Sequence, residues 1–383
     1  MKFEGYRRKD GKVGVRNHVL FLSSVVCANG IIHRIGCEFP EVMTIEHTKG
    51  CVDLADDREI VRNMLIGLAR NPNVGAVVFV GLGCEDTTAE YLYERLEGAK
   101  PVAAVSIQNE GGTSKTLEKC RPLAKKFLKE TKKQTRETFG PDELVISTKC
   151  GGTDWTSAIA PNPSVGIVSD RVVQAGGTSL LGETGGWFGG EEVLLSRSRN
   201  EQTKMRILRL LHKRYDEAER RGTKVEKSNP SPGNIAGGIT TLKEKALGNI
   251  LKSGESPIEG VLGVGQYPPG HGLWVMDNYG IDPASVAGMA AAGAQIVLFT
   301  TGRGTPTGSP ICPVIKICSS PMGMEALREN IDIDLSDIVT EAASLGSGAD
   351  RIETFMYQVA SGKLTKAEIL GHREFVMPGV GIL

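Results

Sequence analysis

Short, predominantly apolar runs, spaced along the sequence between polar segments, constrain this chain most. At 74–80 the residues Val-Gly-Ala-Val-Val-Phe-Val show none of the alternation of a strand with one wet face. Such a run has to be covered on both sides, as a strand is inside a parallel sheet flanked by helices. Further runs at 19–26, 42–46, 101–107, 144–148, 177–182, 260–264, 273–276, 294–300 and 314–318 are separated by longer polar segments. One of these, 57–69, carries Ile60, Met64 and Leu68 four apart, on one face of a helix. The alternation predicts an α/β fold. We expect two Rossmann-like parallel-sheet units with Gly-rich strand-end loops, the first over 1–140 and the second over 141–383. A helix over 114–136 should break or kink at Pro122. Its lysines, interleaved with Glu118, Glu130 and Glu137, read as a solvated face. A polar helix is expected over 201–221, and the prolines and glycine of 228–234 predict a loop.

Charge removes several functions. Lys plus Arg and Asp plus Glu are both 45, so the formal net charge is zero. Nucleic-acid and membrane-surface proteins are usually biased basic, so neither partner is expected. The N-terminus is charged and lacks an apolar stretch, and no run is long enough to span a bilayer. Eight cysteines with no C-x-x-C pair do not make a disulfide scaffold. A cytoplasmic enzyme with reduced thiols is the expectation. Glycine is in excess, at 48 of 383 residues, against a usual share of about 7%. Glycines in such number serve tight turns and backbone that approaches something closely.

In open α/β sheets, ligands sit beyond the carboxyl ends of the strands. Three such ends carry a cysteine beside glycine: Gly83-Cys84-Glu85, Cys150-Gly151-Gly152 and Gly50-Cys51. Glycine allows close approach, and free backbone N–H groups favour the thiolate. Cys51, Cys84 and Cys150 are therefore the candidate metal ligands, suited to a soft or borderline cation or to an iron–sulfur cluster with one iron open to substrate. Cys27, Cys37, Cys120, Cys312 and Cys318 read as small buried hydrophobes. The stretch 299–308 reads as an anion pocket, with amides freed by Gly302, Gly304 and Gly308, hydroxyls from Thr300 and Thr301, and the guanidinium of Arg303. It is neither a Walker A loop nor a dinucleotide fingerprint. Similar Thr-, Asn- and Gly-rich loops at 108–113, 176–178, 182–186 and 229–240 suit a small polyhydroxylated anion. The candidate proton carriers are His47, Glu85, Lys149, Asp154, Glu183 and Asp277, which sequence does not rank.

Several of these strings resemble the altronate/galactarate dehydratase family. They are the segment from Gly5 to Asn17, Val80-Gly-Leu-Gly-Cys-Glu85, Cys150-Gly-Gly-Thr-Asp154, the segment from Asn229 to Gly238, Met276-Asp277 with Asp282-Pro283, and Phe299-Thr-Thr-Gly-Arg-Gly304. They occur in fixed order over nearly the whole chain. The resemblance implies a lyase that removes the α-proton of a hydroxy acid and expels a β-substituent. The product is an enol that becomes a 2-oxo acid. Loss of water from a sugar acid, giving a 2-keto-3-deoxy acid, is the expected reaction. Loss of sulfite from sulfolactate, leaving pyruvate, is the near alternative. A non-catalytic metal- or anion-binding subunit is the alternative of another class. The resemblance further implies dependence on Fe2+ or Mn2+, a Lewis acid that acidifies the α-proton. In it His47, Lys149, Asp154 and Glu183 would be catalytic. Arg16 and Arg303 would clamp a carboxylate, and Asn17, Thr301, Gly302 and Asp277 would complete substrate binding. Single-chain members carry an additional small domain of roughly one hundred residues, so a small partner subunit and an oligomer are expected. Two motifs depart from the dehydratase pattern: Gly182-Glu-Thr-Gly-Gly186 stands for Ser-Glu-Thr-Pro-Glu, and Met276-Asp-Asn-Tyr-Gly280 for Met-Asp-Thr-Pro-Gly. They leave the substrate open.

Overall fold

The computed structural model describes residues 1–379. Its strands are β1 (Phe3–Arg7), β2 (Val13–Gly14), β3 (His18–Ser23), β4 (Val42–Ile45), β5 (Val74–Gly81), β6 (Val102–Ser106), β7 (Glu137–Phe139), β8 (Val145–Gly151), β9 (Thr178–Leu181), β10 (Ile258–Leu262), β11 (Gly272–Met276), β12 (Ile296–Thr301), β13 (Val314–Cys318) and β14 (Ile333–Asp334). They form a four-stranded sheet in the order β4-β3-β5-β6 and a seven-stranded sheet in the order β10-β11-β9-β8-β12-β13-β14. Every ladder in both is parallel. The protein is thus α/β, and β5 and β12, buried at every position, show the cause. Helices on both faces exclude water, so no polar alternation is selected. The antiparallel sheet β2-β1-β7 was not foreseen. Its strands are two to five residues long, too short for a period to register. Phe3, Val13, Val15 and Phe139 pack with Ile146, Leu298 and Ile315 of the large sheet.

Two local expectations need correction. The helix Thr113–Thr131 runs through Pro122 without a break. The 228–234 segment is partly helical: Pro232–Ala236 forms a turn with proline at its first position and a reciprocal Ser231–Asn234 cap. Proline is pre-organised there, where its missing N–H costs nothing.

One apolar cluster crosses from the small sheet to the large one. It joins Leu20, Leu65 and Phe79 to Met276, Ala291 and Val297. At its centre the helices Ala55–Arg70 and Asp282–Ala291 meet at Gly67, where an added Cβ would lie 2.2 Å from the Ala291 carbonyl oxygen. Asn71 fastens the joint, its Nδ2 donating to the carbonyls of Ala290 (2.7 Å) and Ala294 (2.9 Å). Beyond it, residues 54–57, which follow β4, and Asp277 and Tyr279, which follow β11, line one cleft. Loops from the carboxyl ends of both sheets therefore open on the same space. Among the described residues no helix is long and apolar enough to cross a membrane.

Candidate active site

The large sheet starts at its central strand, β8, then builds outward on one side through β9, β11 and β10 and on the other through β12 to β14. The point where the winding reverses, between β8 and β12, leaves a crevice at the carboxyl ends. Lys149 lies there, fully buried. Its Nζ is 2.9 Å from Glu183 Oε1, after β9, and 3.2 Å from Asp282 Oδ1, at the start of the helix that follows β11. It also donates to the Gly280 carbonyl at 3.1 Å. Gly151 makes room for this: a Cβ there would come within 2.5 Å of the Asp282 carboxylate.

Burial disfavours the Lys149 ammonium, but Glu183, Asp282 and Cys150 outweigh it, and its pKa is raised. Burial likewise opposes ionisation of Glu183, yet Lys149 and Lys252 hold its pKa below the usual carboxylate value. For Asp282 burial wins over Lys149, and the pKa is raised. One buried ammonium therefore keeps one carboxylate ionised beside another that holds its proton more tightly. Cys150 Sγ lies 3.6 Å from Glu183 Oε2 and receives a hydrogen bond from Thr153. Lys252, also fully buried, is 3.7 Å from Glu183 Oε2 and donates to Asn249 Oδ1. Lys245 is half-buried and donates to Asn229 at 2.6 Å. Burial lowers its pKa despite the pull of Glu183.

The Thr184 hydroxyl links this cluster to the cleft, donating to Asp277 at 3.2 Å and accepting from the Asn278 N–H. Asp277 pairs with Arg214 at 2.8 Å. The Arg214 guanidinium lies 5.3 Å from the Tyr279 ring centre, and among the described residues the buried Tyr279 hydroxyl has no hydrogen-bond partner. No motif or spacing singles out Arg214, Lys245 or Lys252, which arrive from segments far along the chain. Asp282 was visible only as part of a motif.

The other candidates fall elsewhere. Arg16 and Asn17 precede β3, so they lie at the amino edge of the small sheet. Arg16 is buried and held by both Glu368 oxygens (2.7 and 2.9 Å) and the carbonyls of Val15, Val359 and Lys363. Asn17 bonds Arg8 and the Thr131 carbonyl. Both are hydrogen-bonded within the protein at this edge, away from the Lys149 cluster. His47 is buried, with Nε2 on the Ser23 carbonyl (2.7 Å) and Nδ1 accepting from the Lys49 N–H; burial lowers its pKa to about 4. A neutral ring with both nitrogens engaged pins a loop. Asp154 caps the short helix Trp155–Ile159, accepting from Thr156 and Ser157. Glu85 accepts from Ser24 Oγ and the Gly83 N–H, both at 2.6 Å. Thr301 accepts from the Gly304 N–H, and a Cβ on Gly302 would overlap the Asp154 carboxylate. Arg303 stays exposed, its guanidinium 3.4 Å from the Gly233 carbonyl.

The expected sulfur triad is not assembled. Cys150 is buried in the Lys149 cluster of the large sheet, while Cys51 and Cys84 are exposed at the edge of the small one. Among the described residues no three His, Cys, Asp or Glu side chains gather closely enough to hold a metal ion. A single Fe2+ or Mn2+ thus has no ready set of protein ligands here. Cys27 and Cys37, expected to be buried, are exposed.

Comparison with known proteins fits this architecture. Residues 5–132 match the second domain of D-galactarate dehydratase/altronate hydrolase, and residues 141–382 match the D-galactarate/altronate dehydratase C-terminal domain. The chain is 35% identical to the (2R)-sulfolactate sulfo-lyase subunit beta of Chromohalobacter salexigens, over 98% of this chain and 96% of that protein. It is 33% identical to the altronate dehydratase of Bacillus subtilis (99% of this chain, 78% of that one). It is also 33% identical to the L-threo-forming galactarate dehydratase of Escherichia coli (94% and 73%). With nearly its whole length matched, the chain belongs to the D-galactarate/altronate dehydratase family.

Proposed function

We propose that this chain, a lyase by family, eliminates water from a sugar acid in the cleft and releases a 2-keto-3-deoxy acid. The observation that carries the proposal is the Lys149 ammonium, buried at the winding reversal between Glu183 and Asp282. All its contacts are made within the protein, so it acts as a fixed charge that sets the state of the two carboxylates. Lys245, with a lowered pKa, takes the α-proton. Asp282, with a raised pKa and a side chain 27% exposed, gives a proton to the β-hydroxyl as its C–O bond breaks. Water leaves, and the enol takes up a proton at C3 to become the 2-oxo acid. Arg303 and Arg214 offer guanidinium groups to the substrate carboxylate.

Release of sulfite from sulfolactate is the second reading. It is favoured by coverage: the chain spans 96% of a sulfo-lyase subunit but 73–78% of the dehydratases. The same difference supports a small partner subunit for this chain, in an oligomer acting in the cytoplasm. The test is anaerobic assay of the chain with its partner and iron against sugar acids and sulfolactate, detecting 2-oxo acid and sulfite. Wild type should turn over one of them and Lys149→Met should lose at least a hundredfold. No product from any substrate would reject the proposal.

A further inference from the structure

Exposed cysteine is uncommon, because a free thiol behaves as a small hydrophobe and is usually buried. Cys37 is exposed, in the last turn of the helix Asn29–Glu38. That helix turns Ile31, Ile32 and Ile35 into the core and leaves His33, Arg34 and Cys37 outside. His33 and Cys37 are four residues apart, so they stand one above the other on the outer face. Cys37 Sγ lies 3.7 Å from His33 Nε2. The other ring nitrogen, Nδ1, is 3.0 Å from Glu46 Oε1. An ionised carboxylate only accepts, so Nδ1 carries its hydrogen toward Glu46 and Nε2 is left to accept from the thiol.

Glu46 reaches the ring because of how this helix sits on the small sheet. β4 is an edge strand, and Thr44 within it and Glu46 just after it are two residues apart, on the same side. The helix lies over that side at Gly36, where an added Cβ would come to 3.0 Å from Thr44 Cγ2. The neighbouring acids are already paired. Arg121, from the helix Thr113–Thr131, holds both oxygens of Glu38 at 2.7 and 2.9 Å, and Lys132 holds Glu41 at 2.7 Å. Arg34, three residues before Cys37, adds a positive charge to the same face. Thiol, imidazole and carboxylate therefore stand in a row, the order in which a base draws off a nucleophile's proton and a third group orients the base.

We propose that Cys37 is a thiol–disulfide exchange site for low-molecular-weight disulfides, with His33 as its base and Glu46 as the group that orients the ring. His33 Nε2 takes the thiol proton as Sγ attacks one sulfur of the incoming disulfide. A new S–S bond forms, the incoming S–S bond breaks, and the departing sulfur takes the proton back from His33. The chain keeps a mixed disulfide at Cys37 and one small thiol leaves, so the incoming disulfide is the oxidant. Acyl transfer suits the place less well. The end of a helix offers carbonyls rather than N–H groups, which repel an oxyanion, whereas exchange keeps its charge on sulfur. The His33 and Glu46 side chains are 65% and 41% exposed, so a small disulfide reaches the row without any movement of the fold. Water reaches it too, which holds the acceleration below the roughly 100- to 10,000-fold of a sheltered base.

The test reads modification, not turnover, so it stands apart from the lyase assignment. The full chain, fully reduced, is mixed with oxidised glutathione at pH 7, quenched with acid at intervals and mapped by peptide mass spectrometry. Cys37 should gain the adduct about tenfold faster than Cys27, Cys51 or Cys84, the other exposed thiols. His33→Gln should slow Cys37 about tenfold and leave those three unchanged, and Glu46→Gln should fall between wild type and His33→Gln. The pH profile separates a base from a ring that merely lies nearby. The wild-type rate should level off about one to two pH units below that of His33→Gln, in which the thiol must ionise unaided. Both substituted side chains are exposed, and circular dichroism checks that the variants fold. Cys37 modified no faster than the other exposed thiols, His33→Gln reacting at the wild-type rate, or superimposable pH profiles would each overturn the proposal.

Discussion

Glu183→Gln tests the buried charge cluster most directly. The substitution keeps size and hydrogen-bonding capacity and removes the charge 2.9 Å from Lys149 Nζ. At an effective dielectric near 20, a unit pair at that distance attracts by about 6 kcal/mol, and desolvation offsets part of this. What remains after the change is a fully buried ammonium facing Asp282 at 3.2 Å, whose own pKa is raised. Breaking a buried pair from one side costs about 3–5 kcal/mol, and that loss is the expectation at pH 7. Lys149→Met should cost a similar amount, because it leaves Glu183 near Lys252 at the longer distance of 3.7 Å. The double variant buries no uncompensated charge at this pair, so its loss should fall short of the sum by about 2–3 kcal/mol. Urea unfolding followed by circular dichroism measures all four corners of the cycle. Additive losses, or a Glu183→Gln cost under about 1 kcal/mol, would refute the idea that the cluster is held by mutual neutralisation.

Three further outcomes follow from the geometry. His47 holds a pKa near 4 when folded, against about 6.5 unfolded. The unfolded chain therefore gains the proton first, and stability falls as pH drops through that window. The loss should reach about 2–3 kcal/mol between pH 7 and pH 4.5, and His47→Gln should flatten this part of the urea-derived stability profile. Arg16→Met breaks the buried pair with Glu368 and should cost about 3–5 kcal/mol while leaving KM within about twofold of wild type; a KM rise of tenfold at unchanged stability would restore Arg16 to the substrate site. Asp154→Ala removes a helix cap and should cost about 1 kcal/mol, with Asp154→Asn near neutral in both stability and turnover. A large kcat loss in the asparagine variant would make Asp154 catalytic after all.

The strands were legible because burial on both faces leaves largely apolar runs, and eight of the ten predicted runs end within two residues of a strand end. The exceptions are 144–148, where β8 runs on through Lys149 and Cys150 to Gly151, and 19–26, where β3 stops at Ser23 and Val26 enters a short turn. Pro161 and Pro163 disguised the helix Pro161–Gln174, since sequence does not separate a helix-starting proline from a breaking one. At the site, Lys149, Glu183 and Asp277 were found because strand ends are where chemistry is sought. Asp282 and Lys252 were missed as partners because tertiary packing brings them to Lys149 and Glu183. Arg16 shows the opposite limit: a guanidinium before a strand reads as available, and its pairing with Glu368 from near the other terminus is visible only in the fold. Cys27 was read as buried because a lone cysteine usually is, and its exposure shows only in the fold.

Gly67 has a mechanical consequence. The helix it sits on leaves the loop of Cys51, and the helix it touches starts at Asp282. With no side chain between them and Asn71 riveting the far end, the two act as a single strut bracing both walls of the cleft. The width of the opening is thus set at a joint remote from any reacting atom. An alanine at position 67 would work there as a wedge, tilting one wall against the other with every polar group of the site still in place.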